Sequence, residues 1–152
     1  MTMLQGEAQA WPKPRGRSII PGSKLDELIL SELYSSPVPL SAYTIADRLR
    51  DQGHHVVIPS LYRGLRRLSS TGEIEKVEML AAYRIAEGQK HLRLVCLGCG
   101  RTTAHPVPEL YDLLIARAKE TGFDISKVAL ELGGRCPTCS EHEDVVQPLE
   151  DG

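Results

Sequence analysis

The chain has 152 residues, 41% of them hydrophobic and 25% charged, with a formal net charge of −2. That composition belongs to a globular protein and excludes collagen, coiled-coil and wholly disordered chains. No apolar run approaches the roughly 18 residues of a membrane span, and the opening MTMLQGEAQAWPKPRGR lacks an apolar signal core, so the expectation is a cytoplasmic protein with no membrane partner.

Charge is uneven along the chain. Residues 1–90 carry 12 basic against 10 acidic side chains, and residues 91–152 carry 6 against 10. Such a split points to two units with different partners. Residues 1–22 hold Pro12, Pro14 and Pro21 with Lys13, Arg15 and Arg17 between them, and are expected to form a flexible basic arm. Ser23 can cap a first helix to about Ser35, with Leu25, Leu28, Ile29 and Leu33 at helical spacing. The run Ser35–Pro39 stops it. Ser41 caps a second helix through about Asp51, with Ile45, Ala46 and Leu49 inward, and Gly53 ends it. Pro59 and Ser60 open a third helix to about Ser70, because proline is tolerated in a first turn. Leu61, Leu65 and Leu68 form its apolar face, and Gly72 terminates it. Glu73–Glu78 and Ala82–Ala86 are two expected strands joined by Met79-Leu80-Ala81. Three helices and a hairpin over 23–86 are the order of a winged helix-turn-helix.

Glu87-Gly88-Gln89-Lys90 is polar and is expected to be a hinge over 87–90. A second unit over 91–140 follows: a strand His91–Cys96, a strand from Arg101 to about His105, and a helix from about Val107 to Thr121. That helix turns Leu110, Leu113, Leu114 and Ala118 inward and is capped by Gly122. A third strand, Lys127–Leu132, completes the unit. The tail 141–152 is acidic and expected to be loose. About 60 residues is marginal for an independent fold, so the apolar strands of this half call for a partner surface.

Two constellations carry chemistry. The first is cysteine: Cys96-Leu-Gly-Cys99 and Cys136-Pro-Thr-Cys139 are the only four. In a chain read as intracellular, two such pairs suit a tetrahedral zinc shell better than disulfides. Four thiolates leave no open coordination position, so the ion is structural rather than catalytic. Two free dithiols, or one redox-active pair, are the alternatives. The 36 residues between the pairs exceed the roughly 15–20 of a simple zinc ribbon, so that segment is a folded unit which the metal clips. The second constellation is the third helix, SLYRGLRRL. Its apolar side holds it on the fold, and Ser60, Tyr62, Arg63, Arg66 and Arg67 are left to meet phosphates and base edges of double-stranded DNA. No phosphate-binding glycine loop, carboxylate pair or nucleophile elbow is present, so an enzyme is not expected.

PSLYRGLRRLSSTGEIEKVE, the CLGCG knuckle, the helix ending in TGF and the ELGGRCPTC segment together resemble the ferric uptake regulator family of metal-dependent repressors over roughly residues 23–139. The resemblance implies an α/β two-domain protein: an N-terminal winged helix that binds operator DNA and a C-terminal α/β dimerisation domain. It implies a homodimer and a structural zinc on Cys96, Cys99, Cys136 and Cys139. It places Tyr62 and Arg63 at the groove. LSAYTIADRL and KVEMLAAYRI are similar to the zinc-uptake branch. Family members also carry a regulatory metal at the hinge, zinc or iron, and here the pattern departs. The family's ligand positions fall at Pro39, Arg84, Tyr111 and Val128, and of its histidine-rich stretch only His91 stays. His91, Glu87 and His105 are the candidate substitutes for a degenerate or relocated site, and His54 and His55 lie before the third helix. The competing reading is a zinc-ribbon adaptor that binds protein without sequence-specific DNA recognition.

Overall fold

The computed structural model describes residues 20–141. Most of the expected basic arm, and the acidic tail beyond residue 141, lie outside the described residues. Three helices come first: α1 (Gly22–Ser35), α2 (Ala42–Asp51) and α3 (Ile58–Ser70). At α2 the Ser41 hydroxyl accepts a hydrogen bond from the Thr44 N–H, the cap its position foretells. At α1 the reading differs. Pro21 occupies the N-cap, no side chain caps the end, and Ser23 lies inside the helix. The first helix of the pair thus starts on the fixed φ of proline rather than on a hydroxyl. Proline likewise shapes the start of α3, where Val57 is the N-cap and Pro59 sits in the first turn, whose N–H groups have no helical acceptor. Gly72 follows α3 at φ 79°, in the left-handed region that ends helices.

A hairpin of β1 (Ile74–Val77) and β2 (Ala82–Ile85) follows, and its tip is a 3-10 turn at Glu78–Leu80 with Ala81 left-handed at φ 47°. Ile74 pairs with Ile85 and Val77 with Ala82. Leu40 adds a third pairing on Tyr83, through reciprocal backbone hydrogen bonds of 2.9 and 2.8 Å, which the sequence did not suggest. The main core lies entirely in this half. Leu25, Ile29, Leu33, Ile45, Leu49, Leu61, Leu65, Leu68 and Ile74 form one buried cluster.

The second half is a three-stranded sheet ordered β4-β3-β5, made of β3 (His91–Cys96), β4 (Thr102–Pro106) and β5 (Leu130–Gly134). β3 runs antiparallel to β4 and parallel to β5, the latter pairing needing the crossover helix α4 (Pro108–Glu120). β5 begins three residues later than the sequence reading. A short helix, α5 (Pro137–Ser140), carries the last cysteine. Among the described residues of this half only Arg93, Val95 and Cys96 are buried.

The expected inward face of α4 is corrected by the structure. Leu110, Leu113 and Leu114 are 43%, 55% and 42% exposed, and Leu94 and Leu132 are exposed on the sheet. The apolar spacing is real, but one chain supplies nothing to cover it.

Candidate functional site

Cys96 ends β3, Cys99 follows the first turn, and Cys136 and Cys139 bracket the start of α5. All four sulfurs lie within 4.8 Å of one another. The turn is closed by the Gly100 N–H on the Cys96 carbonyl at 2.9 Å. Gly98 eases a close approach, because a Cβ there would stand 3.1 Å from the Cys139 sulfur and crowd it. The Cys99 and Cys136 sulfurs are 3.8 Å apart. Zn–S bonds of about 2.3 Å in a tetrahedron set sulfurs about 3.8 Å apart, so the shell fits zinc.

Its electrostatics fit as well. The Cys96 thiol is lowered to about 6, chiefly by the backbone N–H of Cys136 at 3.2 Å and then that of Cys99. Cys139 is raised to about 12, because it donates to the sulfurs of Cys136, Cys96 and Cys99. Without a cation the cluster favours one thiolate and withholds another. A dication is what lets all four ionise. The ion's place is structural: it ties the end of β3 to the end of β5.

On α3, Leu61, Leu65 and Leu68 are buried while Tyr62, Arg63 and Arg66 are exposed on the other side. The Arg63 guanidinium donates to the Ser60 hydroxyl at 2.8 Å, which holds it along the helix surface. Arg67 departs from the sequence reading. Its guanidinium binds both Asp26 carboxylate oxygens, at 2.9 and 2.7 Å, and the Gly22 carbonyl at 3.4 Å. Arg67 therefore joins α3 to α1 rather than standing free with the others. Asp26 lies 41 residues away, which no local pattern could reveal. Gly64 lets these helices approach, since a Cβ there would stand 2.8 Å from both Asp26 Oδ1 and Ile29 Cδ1.

The hinge candidates are placed apart. His91 pairs across the sheet with Pro106, and His105 pairs with Leu92, so the two histidines are on opposite faces. His105 is exposed, 3.2 Å from the Thr103 hydroxyl. Among the described residues only the four cysteines form a cluster of three or more metal-capable side chains. His91 and Glu87 instead join a group of charges the sequence reading missed. Arg93, 3% exposed, reaches the carboxylates of Glu75 on β1 and Glu87 in the hinge, the latter at 3.3 Å. Arg84 on β2 binds Glu87 and the Thr102 hydroxyl of β4. His91 Nε2 lies 2.9 Å from Arg93 Nη2 and 3.6 Å from a Glu75 oxygen. Burial, and then the neighbouring Arg93 charge, lower Arg84 from its ordinary value. A signal existed: His91, Arg93 and Val95 alternate with Leu92 and Leu94, so Arg93 shares a face with buried Val95.

The model of the ferric uptake regulator family matches residues 24–133. The ferric uptake regulation protein of Neisseria meningitidis is 28% identical over 123 residues, covering 79% of this chain and 85% of that protein. The zinc uptake regulation protein of Escherichia coli K12 is 27% identical over 130 residues, covering 82% and 75%. Among solved structures, a zinc uptake regulator complexed with zinc and DNA superposes with a TM-score of 0.72 at 23% identity, over 80% of this chain and 85% of that one. The Helicobacter pylori ferric uptake regulator, described as having three functional metal-binding sites, gives 0.58 at 26% identity, over 82% and 85%. With the four-cysteine shell and the winged helix both in place, and with a match spanning most of its length, this chain belongs to the ferric uptake regulator family.

Proposed function

We propose that the chain is a homodimeric transcriptional repressor that binds operator DNA through α3 of each copy and controls metal-homeostasis genes. One observation carries the reading: α3 buries its leucines fully and turns Tyr62, Arg63 and Arg66 outward as one polar face, the division of labour a recognition helix needs. Family membership and the likeness to a regulator held on DNA support it. Arg63 and Tyr62 are assigned to base edges and neighbouring sugar-phosphate. Ser60 steers Arg63. Arg66 is assigned to phosphate. Arg67 serves the α1–α3 contact.

The dimer is supported by the bare apolar surfaces of Leu110, Leu113 and Leu114 on α4 and of Leu94 and Leu132 on the sheet. Two copies double the phosphate contacts and fix the half-site spacing. Zinc on Cys96, Cys99, Cys136 and Cys139 holds the sheet in shape for that pairing. The regulatory site at the hinge is degenerate.

The test is operator binding by fluorescence anisotropy, on duplexes the protein enriches from a random-sequence library. Sequence-selective binding that Arg63→Ala weakens supports the assignment. An Arg63→Ala protein with unchanged affinity removes α3 as the reader, and failure to enrich any duplex favours the zinc-ribbon adaptor.

A further inference from the structure

We propose that a fixed cluster of guanidinium and carboxylate groups, in place of a bound cation, locks the winged helix onto the C-terminal sheet. This rests on the repressor reading only for its consequence, that the lock keeps the protein in its DNA-binding arrangement without a hinge metal. Two observations carry the lock itself.

The first is charge balance. Glu75 and Glu87 are the carboxylates at the base of the hairpin, and Arg84 and Arg93 already neutralise them. A divalent cation entering here would have to displace a guanidinium, or sit beside two of them in a partly buried place, where like charges repel strongly. A larger cavity of about 330 Å³ holds Glu75, Glu131 and the His91 ring, whose buried Nδ1 has no hydrogen-bond partner among the described residues, but Arg93, Lys76, Lys90 and Lys127 line it too and oppose a cation there. The smaller cavity, of about 230 Å³, offers little else. Its walls include Pro37, Val38 and Pro39 with Arg84 and Glu87, and the Ser36 hydroxyl beside them is turned to the Val38 carbonyl at 2.7 Å.

The second is reach. The pairs cross between the halves: Arg93 of β3 to Glu75 of β1, and Arg84 of β2 to Thr102 of β4. A further clasp lies along the same face, since Arg93 and Glu131 are neighbours in the β3–β5 register. The Glu131 carboxylate accepts from the N–H groups of Glu78 and Met79 at the hairpin tip, at 2.8 and 2.9 Å. Lys127 holds the Glu78 carboxylate at 2.6 Å. The hairpin is thus gripped at its base and at its tip by side chains whose strands end at Cys96 and just before Cys136.

The test uses the full-length dimer with one zinc per chain verified by elemental analysis. Small-angle X-ray scattering and affinity for the enriched duplex are measured after a mild chelator, and again with added zinc or ferrous iron. The lock expects unchanged scattering and an affinity change under about threefold. Glu75→Gln combined with Arg93→Gln removes both charges at once, so no buried ion is left alone. It is expected to keep its far-UV circular dichroism, to scatter as a more extended particle and to lose operator affinity about tenfold. Glu87→Gln, at a half-exposed position, gives the same direction to a smaller extent. A second equivalent of metal that compacts the wild-type protein or changes its affinity more than about threefold overturns the proposal. So does a Gln pair that scatters like wild type. If no duplex is enriched, the repressor reading fails while scattering still decides the lock.

Discussion

Four arginines, three on α3 and one on β2, have four different fates, and these set the first expectation. Arg63 is exposed beside Ser60, Arg66 is exposed, Arg67 is tied to Asp26, and Arg84 is tied to Glu87. Arg63→Ala is expected to cost about 1–3 kcal/mol of operator binding and to relax the sequence preference. Arg66→Ala should act evenly across sequences and reduce the slope of log affinity against log salt by about one unit. Arg67→Ala should leave that slope unchanged and lower the melting temperature instead. Anisotropy titrations at several salt concentrations separate the three. Tyr62, Arg63 and Arg66 were legible because helical period alone puts them opposite Leu61, Leu65 and Leu68. The same period groups Arg67 with them, and its pairing with Asp26 comes only from the α1 packing.

At the scale of elements, packing distances matter more than propensity. Gly64 is where α3 meets α1, and alanine there, though a better helix former, must displace Asp26 or the buried Ile29. Gly64→Ala is expected to destabilise the protein by about 1–3 kcal/mol in denaturant unfolding. The hairpin tip gives a pH expectation. Glu78 is held below its ordinary value of 4.5, first by Lys127 and then by Lys76. A carboxyl lowered on folding stabilises the fold above its unfolded value and loses that contribution as pH falls through the lowered folded value. Carbon-detected NMR titration should find Glu78 ionising at lower pH than a free glutamate, and Lys127→Met should move it back toward 4.5. The order of helices, hairpin, knuckles and crossover was readable from capping residues, glycines and apolar period. The pairing of Leu40 with Tyr83 was not, because a single-residue bridge leaves no period. Nor was the start of β5, since nothing in Lys127, Val128 and Ala129 breaks a strand.

At the scale of the molecule, the two halves differ in what holds them. The winged half has its own buried cluster, while the other relies on zinc, the junction charges and a second copy. Structural zinc contributes on the order of 10 kcal/mol in small domains. Stripping it at neutral pH is therefore expected to collapse the dispersion of amide signals from residues 91–141, with those of 20–86 retained. Leu113→Glu should place a carboxylate on the bare face of α4 and convert the dimer to monomers by sedimentation, with zinc still bound. The cysteine spacing disclosed this dependence directly. The charges at the junction were hidden, because they come from three strands and the hinge, and a glutamate in a hairpin strand carries no sign of what will face it.

The confinement of the main core to residues 25–74 also sets an order of events at the ribosome. The chain emerges from its N-terminus, so the helical bundle and hairpin can close before Cys136 has been made. The later half emerges as thiols and bare leucines, and it must wait for an ion and then for a sibling chain. A newly made copy is thus competent to fold its DNA reader long before it can form a pair of them, and zinc supply governs how quickly single readers become double ones.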